Sequence, residues 1–384
     1  ALTLAMSLFC PQVFAAEALS AEEQGVKPVS LAPVEEALPQ LTVEEALDKA
    51  KKHDPELRNI EDALELVVER VEDFDDKVGS VSLPNYDFER WTESDALYQM
   101  YYGVLMMEQG EKQAKIGKSL QNLVLETTVR TYFTTILSIE DGLELAKESA
   151  EMQQKTYMQG YTKYRLGMLS KYNLDQLEIT AQKAKNSVIT TEATLEQMYI
   201  SLNDLIGENP EKRFELVYDT SFVPYEMSKS MDQYIKGAME DDLMIQMQEL
   251  TTELAKFQAN YRPLSNDSQT SLEDDRLAYT KADRALKKAK SDKETLIRNT
   301  YLKIKALETE YASAQADLKK AQADYRVAQL SYQAGMATKM AVEGAAMGIA
   351  AAETALNALV YEHDMLVYSF ENPSLLSNSM QAQK

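Results

Sequence analysis

Two histidines, His53 and His363, and a single cysteine, Cys10, supply all the imidazole and thiol chemistry in 384 residues. A zinc site draws three or four ligands from Cys, His and carboxylate at motif spacing, and no such constellation occurs. No Gly-rich phosphate loop and no strand-to-helix nucleophile motif is present. Carboxylates are plentiful, with 62 Asp and Glu against 40 Lys and Arg and a net charge of −22. On helical stretches they alternate with lysine, as from Lys287 to Glu294, which is the pattern of a solvated face. These residues predict no catalytic site, no cofactor and no bound metal. The acidic balance argues against nucleic acid as a partner, because phosphate contacts need clustered Lys and Arg.

The residues that do recur at a specific spacing are tyrosine and glycine. Tyr157 and Tyr164 stand one heptad apart and lead into Arg165-Leu166-Gly167-Met168-Leu169-Ser170. Tyr325 and Tyr332 do the same ahead of Gln333-Ala334-Gly335-Met336-Ala337-Thr338. Gly167 and Gly335 are 168 residues apart, a whole number of heptads. Large side chains at heptad spacing pack along a seam, which is the preferred reading of the four tyrosines. The sharper alternative is that their hydroxyls close the tips or meet a partner.

The flanks carry the elements that position these residues. Leu125, Val129, Tyr132, Ile136, Ile139 and Leu143 step by four and three towards Gly167, and Ile304, Leu307, Tyr311, Ala314 and Leu318, with Ile297 a heptad ahead, do so towards Gly335. Leu174, Leu177, Ala181, Leu195 and Leu202 continue the first frame, and Val342, Ala345, Ile349, Leu356, His363 and Phe370 continue the second. Gln153 and Thr300 interrupt the seams. A period of 3.5 demands left-handed supercoiling of packed helices. Each glycine reads as the tip of a helical hairpin, with Ser170 or Thr338 capping the returning helix. An arm from Val104 to Leu166 would be ~95 Å long at 1.5 Å per residue. His363, in a seam position, reads as packed or partner-facing.

Only 13 Gly and 10 Pro occur, too few turn-formers for an all-β or ordinary α/β fold. The chain is therefore predicted to be all-α, with long antiparallel coiled-coil hairpins in two tandem repeats. Leu47, Ala50, Asp54 and Leu57 line up with Ile235, Ala238, Asp242 and Ile245, so each repeat also has two short leading helices. The divisions are a secretory leader at 1–15, a Pro-containing acidic lead at 16–40, a first repeat at 41–206, a linker at 207–230, a second repeat at 231–373 and a tail at 374–384. The leader reading rests on the uncharged run Ala1 to Phe9 and the small residues around Ala15, and it implies export. No later run of ~18 apolar residues suits a membrane helix. Trp91, Tyr98, Met100, Tyr101, Tyr102, Met106 and Met107 form an aromatic and methionine-rich patch, expected to pack inside one end of the assembly, with a membrane or partner contact as the alternative.

Leu41-Thr42-Val43-Glu44-Glu45-Ala46-Leu47 with Asp54-Pro55-Glu56-Leu57, the two Tyr-x-x-Gly-Met tips and Leu202-Asn203-Asp204-Leu205-Ile206-Gly207 resemble the TolC family of outer-membrane efflux and type I secretion channels, over about Leu41 to Pro373. The resemblance implies a homo-oligomer, a trimer, forming a hollow helical cylinder in the cell envelope. It implies a periplasmic adaptor protein as partner, linked to an inner-membrane pump. The adaptor-docking residues would be Tyr164, Arg165, Leu166, Gly167, Met168 and Ser170 at one tip and Tyr332, Gly335, Met336 and Thr338 at the other. A gate contact would join Asn173, where the archetype has an aspartate, to Tyr332.

Two departures qualify this. The family inserts a two-stranded hairpin into each repeat, and a membrane-crossing strand needs ~9–11 residues. Lys77 to Asp95 and Asn260 to Asp275 are short and polar, and hold Pro84 and Pro263. The cylinder is therefore expected without a substantial β-barrel, which leaves membrane contact open. After the second tip, Ala341 and Gly344 stand where the archetype has aspartates. The expected function is a channel or conduit in efflux or secretion; the alternative is an extracytoplasmic coiled-coil scaffold that binds an adaptor or cell-wall partner and encloses nothing.

Overall fold

The computed structural model describes residues 38–78, 95–218, 221–261 and 269–376. The leader, nearly all of the lead, Cys10, Trp91 and the tail beyond Leu376 lie outside them. Thr42 opens α1 (Val43–His53) with a capping box: its side chain accepts from the Glu45 backbone, and Glu45 accepts from the Thr42 backbone. Ser230 and Gln233 repeat the device at α5 (Met231–Asp241). Asp54 then caps α2 (Pro55–Val78), accepting from the Leu57 backbone at 3.0 Å. Asp242 caps α6 (Leu243–Tyr261), accepting from Met244 and Ile245 at 2.9 Å. Two capping devices, each used twice, build the same short–short helix start in both halves.

Long helices follow. In the first half α3 (Asp95–Arg165) returns as α4 (Lys171–Ile206), and in the second α7 (Gln269–Gln333) returns as α8 (Lys339–Glu371). The 71-residue α3 is about 105 Å long at 1.5 Å per residue. Each long helix packs against its own returning partner, while its other half packs against the short helices; α3 also meets α8, which joins the two repeats. The fold is thus all-α with two tandem hairpin repeats. Among the described residues the one sheet is a parallel pair, β1 (Gln40–Thr42) with β2 (Glu215–Val217), which ties the start of the first repeat to the linker.

Residues 79–94 are all that separate α2 from α3, and residues 262–268 all that separate α6 from α7. Neither stretch has the length for two membrane-crossing strands. The second break is shorter than the expected Asn260 to Asp275, because the helix extends back through Asp274 and Asp275. Each added residue of an established helix gains a hydrogen bond, which outweighs the weak propensity of aspartate. Among the described residues no helix is long and apolar enough to cross a membrane.

The heptad seam forms the core. Val129, Ile136, Leu202, Ile297, Ile304 and Phe370 are fully buried. Thr300, which breaks the seam in sequence, is buried and donates its hydroxyl to the Leu296 carbonyl at 2.8 Å. Phe133 lies off the seam yet is fully buried, because β1, β2 and Phe214 add a second surface to α3. Tyr98 stacks on Phe257 at 5.7 Å, and both Tyr98 and Tyr101 are buried, so this part of the aromatic patch packs inside its end of the molecule.

One buried charge pair distinguishes the second repeat. Lys293 Nζ lies 2.7 Å from Asp242 Oδ2, and their side chains are 8% and 0% exposed. The ammonium also donates to the Pro373 and Leu376 carbonyls at 2.8 Å. The first repeat has Leu125 at the position of Lys293, and Asp54 takes a neutral Gln121 amide at 2.8 Å. Lys293→Met is expected to lower unfolding free energy by about 3–5 kcal/mol, because Asp242 then remains buried without a cation. Urea unfolding of the purified chain measures this, and a loss below about 1 kcal/mol would contradict the clamp.

Candidate functional site

The two tips are built alike. At the first, Gly167 takes φ +71°. Its N–H donates to the Tyr164 carbonyl at 2.9 Å, and the Met168 N–H donates to the Lys163 carbonyl at 2.8 Å. At the second, Gly335 takes φ +73°, with Gly335 donating to Tyr332 at 2.9 Å and Met336 to Ser331 at 2.8 Å. Both are Schellman closures, in which a left-handed residue lets the chain satisfy the last carbonyls of the helix. The chain then re-enters helix at once. Ser170 Oγ accepts from the Asn173 backbone and Thr338 Oγ1 from the Ala341 backbone, both at 3.2 Å. The reversal is fixed by backbone bonds, which frees the side chains.

Those side chains point into solvent. Leu166, Met168 and Met336 are 69%, 72% and 79% exposed. Tyr164 and Tyr332 are exposed as well, whereas Tyr157 and Tyr325 are half-buried along the seam. The four tyrosines therefore divide: the inner pair packs, and the outer pair faces outward. Within the chain no hydrogen bond joins Asn173 to Tyr332 among the described residues. Tyr172, which the sequence reading did not single out, is 71% exposed beside Met168.

Lys163 and Arg165 sit in the last turn of α3, where they complement the helix dipole. Lys171 pairs with Asp175 at 2.9 Å, and that hydrogen bond holds its ammonium above its ordinary pKa. Lys339 and Glu343 repeat the pair, at 3.6 Å, in the second tip. The 168-residue offset was the signal that could have found these lysines. In a chain of charge −22, both tips combine cations with exposed apolar side chains.

The hairpins stay together just behind the tips. Gly160 is buried, and a Cβ there would lie 2.4 Å from Leu177 Cδ1, so α4 approaches α3 closely. Thr156 Oγ1 bonds Met340 Sδ at 3.7 Å, and Lys155 pairs with Glu343 at 3.5 Å, which links α3 to α8. Further along, Asp141, Glu144, Glu148 and Glu353 line an open valley between α3 and α8. Among the described residues no three His, Cys, Asp or Glu side chains converge as a metal site.

His363 is 5% exposed in the seam, with the Phe222 ring 4.6 Å away and Glu308 Oε1 at 3.8 Å. Burial lowers its pKa, against the opposing pull of Glu308 and Asp364. A lowered folded-state pKa contributes stability that is present above 6.5 and is lost as pH falls through the folded value. His363→Leu, which installs the residue found at the equivalent Leu195, should therefore flatten the melting temperature between pH 7 and pH 5. An unchanged slope would refute this. Gly167→Ala and Gly335→Ala should each cost about 1–2 kcal/mol, because a Cβ is strained at positive φ. Denaturant unfolding reads both, and a neutral result would rule out the left-handed closure.

No family model and no curated protein matches the sequence. The fold does match solved structures along nearly its whole length. VceC, the outer membrane protein of Vibrio cholerae, superposes with a TM-score of 0.63 at 14% identity, covering 87% of this chain and 96% of that one. The Campylobacter jejuni CmeC outer membrane channel gives 0.63 at 13% identity, covering 88% of each. The open state of the Neisseria gonorrhoeae MtrE outer membrane channel gives 0.61 at 14% identity, covering 87% and 89%. At these identities the likeness establishes a shared fold, the TolC-like helical fold that the resemblance in sequence implies.

Proposed function

We propose that this chain is the conduit component of an efflux or secretion system in the cell envelope. Copies of it, three by analogy with the TolC family, join into a cylinder whose helices enclose a path. The two tips dock a periplasmic adaptor that connects to an inner-membrane pump. The chain offers a route and catalyses nothing. The observation that carries this reading is the fold match to outer membrane channels over 86–88% of the chain. The tips support it further: backbone bonds hold their shape, while exposed Leu166, Met168 and Met336 beside Lys163 and Arg165 offer apolar and cationic contacts.

A second reading is favoured by one feature. Residues 79–94 and 262–268 are too few for the strands of a membrane barrel, which suits an extracytoplasmic scaffold that binds an adaptor or cell-wall partner. The two differ in shape. Negative-stain images of the purified assembly should show a ring with a central hole, and a solid monomeric or dimeric rod would eliminate the conduit. The docking assignment is tested separately. Met168→Glu with Met336→Glu should change stability by less than about 0.5 kcal/mol, since both side chains are exposed, and should abolish co-purification of the adaptor. Undiminished co-purification would remove the tips from the interface.

A further inference from the structure

The two tips share few side chains. They read Tyr-Arg-Leu-Gly-Met-Leu-Ser from Tyr164 and Tyr-Gln-Ala-Gly-Met-Ala-Thr from Tyr332, so only Tyr, Gly and Met agree. The glycines close the helices at positive φ, and Ser170 and Thr338 cap the returning ones. Met168 and Met336 enter the closures through their backbone N–H groups, which donate to the Lys163 and Ser331 carbonyls at 2.8 Å. In such a closure the residue after the glycine commonly lays an apolar side chain on the last helical turn. Here that packing is slight, because Met168 is 72% and Met336 79% exposed.

A thioether held in solvent is open to oxidation, and methionine goes to its sulfoxide before any other change at sulfur. The chain has 18 methionines and one cysteine, so thioethers supply nearly all of its oxidisable sulfur. Among the described residues Met106, Met158 and Met244 are 43%, 54% and 51% exposed, and the remaining methionines of described burial are half-buried. Met340, close behind the second tip, accepts a hydrogen bond from the Thr156 hydroxyl at 3.7 Å. Met168 and Met336 are therefore the most exposed methionines in this set, and both stand on the surfaces assigned to the adaptor. Main-chain bonds hold the reversal, so chemistry at either sulfur changes what a tip presents and leaves its shape alone.

We propose that Met168 and Met336 are oxidant-sensitive modification sites, and that their sulfoxidation switches off adaptor docking. The oxidant is a peroxide. A sulfur lone pair attacks one peroxide oxygen, and an S–O bond forms as the O–O bond breaks. The departing hydroxide takes the proton of the new S–OH group and leaves as water. Sulfur loses two electrons, and the peroxide gains them. A flexible apolar side chain thereby becomes a polar one, which is costly to bury in an apolar contact that offers it no donor. Methionine sulfoxide reductases, one for each sulfoxide epimer, restore the thioether. The switch rests on the docking reading, whereas the modification sites do not.

The experiment treats the full chain with graded hydrogen peroxide and maps the added oxygen by peptide mass spectrometry. Met168 and Met336 should oxidise roughly fivefold or more faster than the half-buried Met152 and Met347. Equal rates would overturn the sites without reference to any adaptor. The oxidised chain should unfold at the same urea concentration as the untreated one. It should bind roughly tenfold more weakly to the adaptor that co-purifies with the untreated chain, and the two reductases together should restore binding. Peroxide should cause no such drop in the Met168→Leu, Met336→Leu double variant, and a drop there would assign the effect to another methionine and sink the switch. Undiminished binding by the oxidised chain, with Met168→Glu and Met336→Glu abolishing it, would refute the switch and leave the docking reading intact. If the glutamate variant also binds normally, the docking reading falls and the switch falls with it, while the peptide map still decides the modification sites.

Discussion

The structure depends on the antiparallel packing of each long helix against the helix that returns from its tip. A stripe of period 3.5 cannot be buried by one helix alone. The chain buries it by reversing at one glycine and laying the following helix back in the same frame. Gly167 and Gly335 make that reversal within five residues, because a left-handed residue lets a helix end and its last carbonyls still find donors. The hairpin, the exposure of the tip side chains and the alignment of the two repeats all follow from it.

The returning helices are much shorter than the outgoing ones, and this difference sets the rest of the architecture. About half of α3 and half of α7 extend past the end of their partners. The short helices cover that surplus, held by the Thr42 and Ser230 capping boxes and by the Asp54 and Asp242 caps. The molecule is divided accordingly into a hairpin end, where the tips are free, and an end where short helices and aromatic rings pack. The Asp242–Lys293 pair ties three elements of the second repeat through one ammonium, where the first repeat uses a neutral amide.

Much of this was legible because it depends on local pattern. The tip glycines, the caps at Ser170 and Thr338, the seam residues from Val129 to Ile304 and the shortness of the breaks all follow from spacing and turn chemistry. Phe133 was not legible, since its burial comes from a linker strand distant in sequence. The role of Lys293 was hidden for the same reason: its partners are Asp242 and two carbonyls near the end of the last helix. Tyr172 and the tip lysines were readable only by comparing the repeats position by position.

By itself the sequence determined the helical class, the two repeats and where each hairpin turns, because heptad period and left-handed glycine are constraints between residues a few positions apart. Tertiary structure alone decided which tyrosines pack and which face solvent, that the second repeat is clamped by a buried ion pair, and that α3 lies against α8. Those outcomes depend on the spacing of helices brought together from opposite ends of the chain, and a pattern along one helix carries no record of the neighbour on its other side.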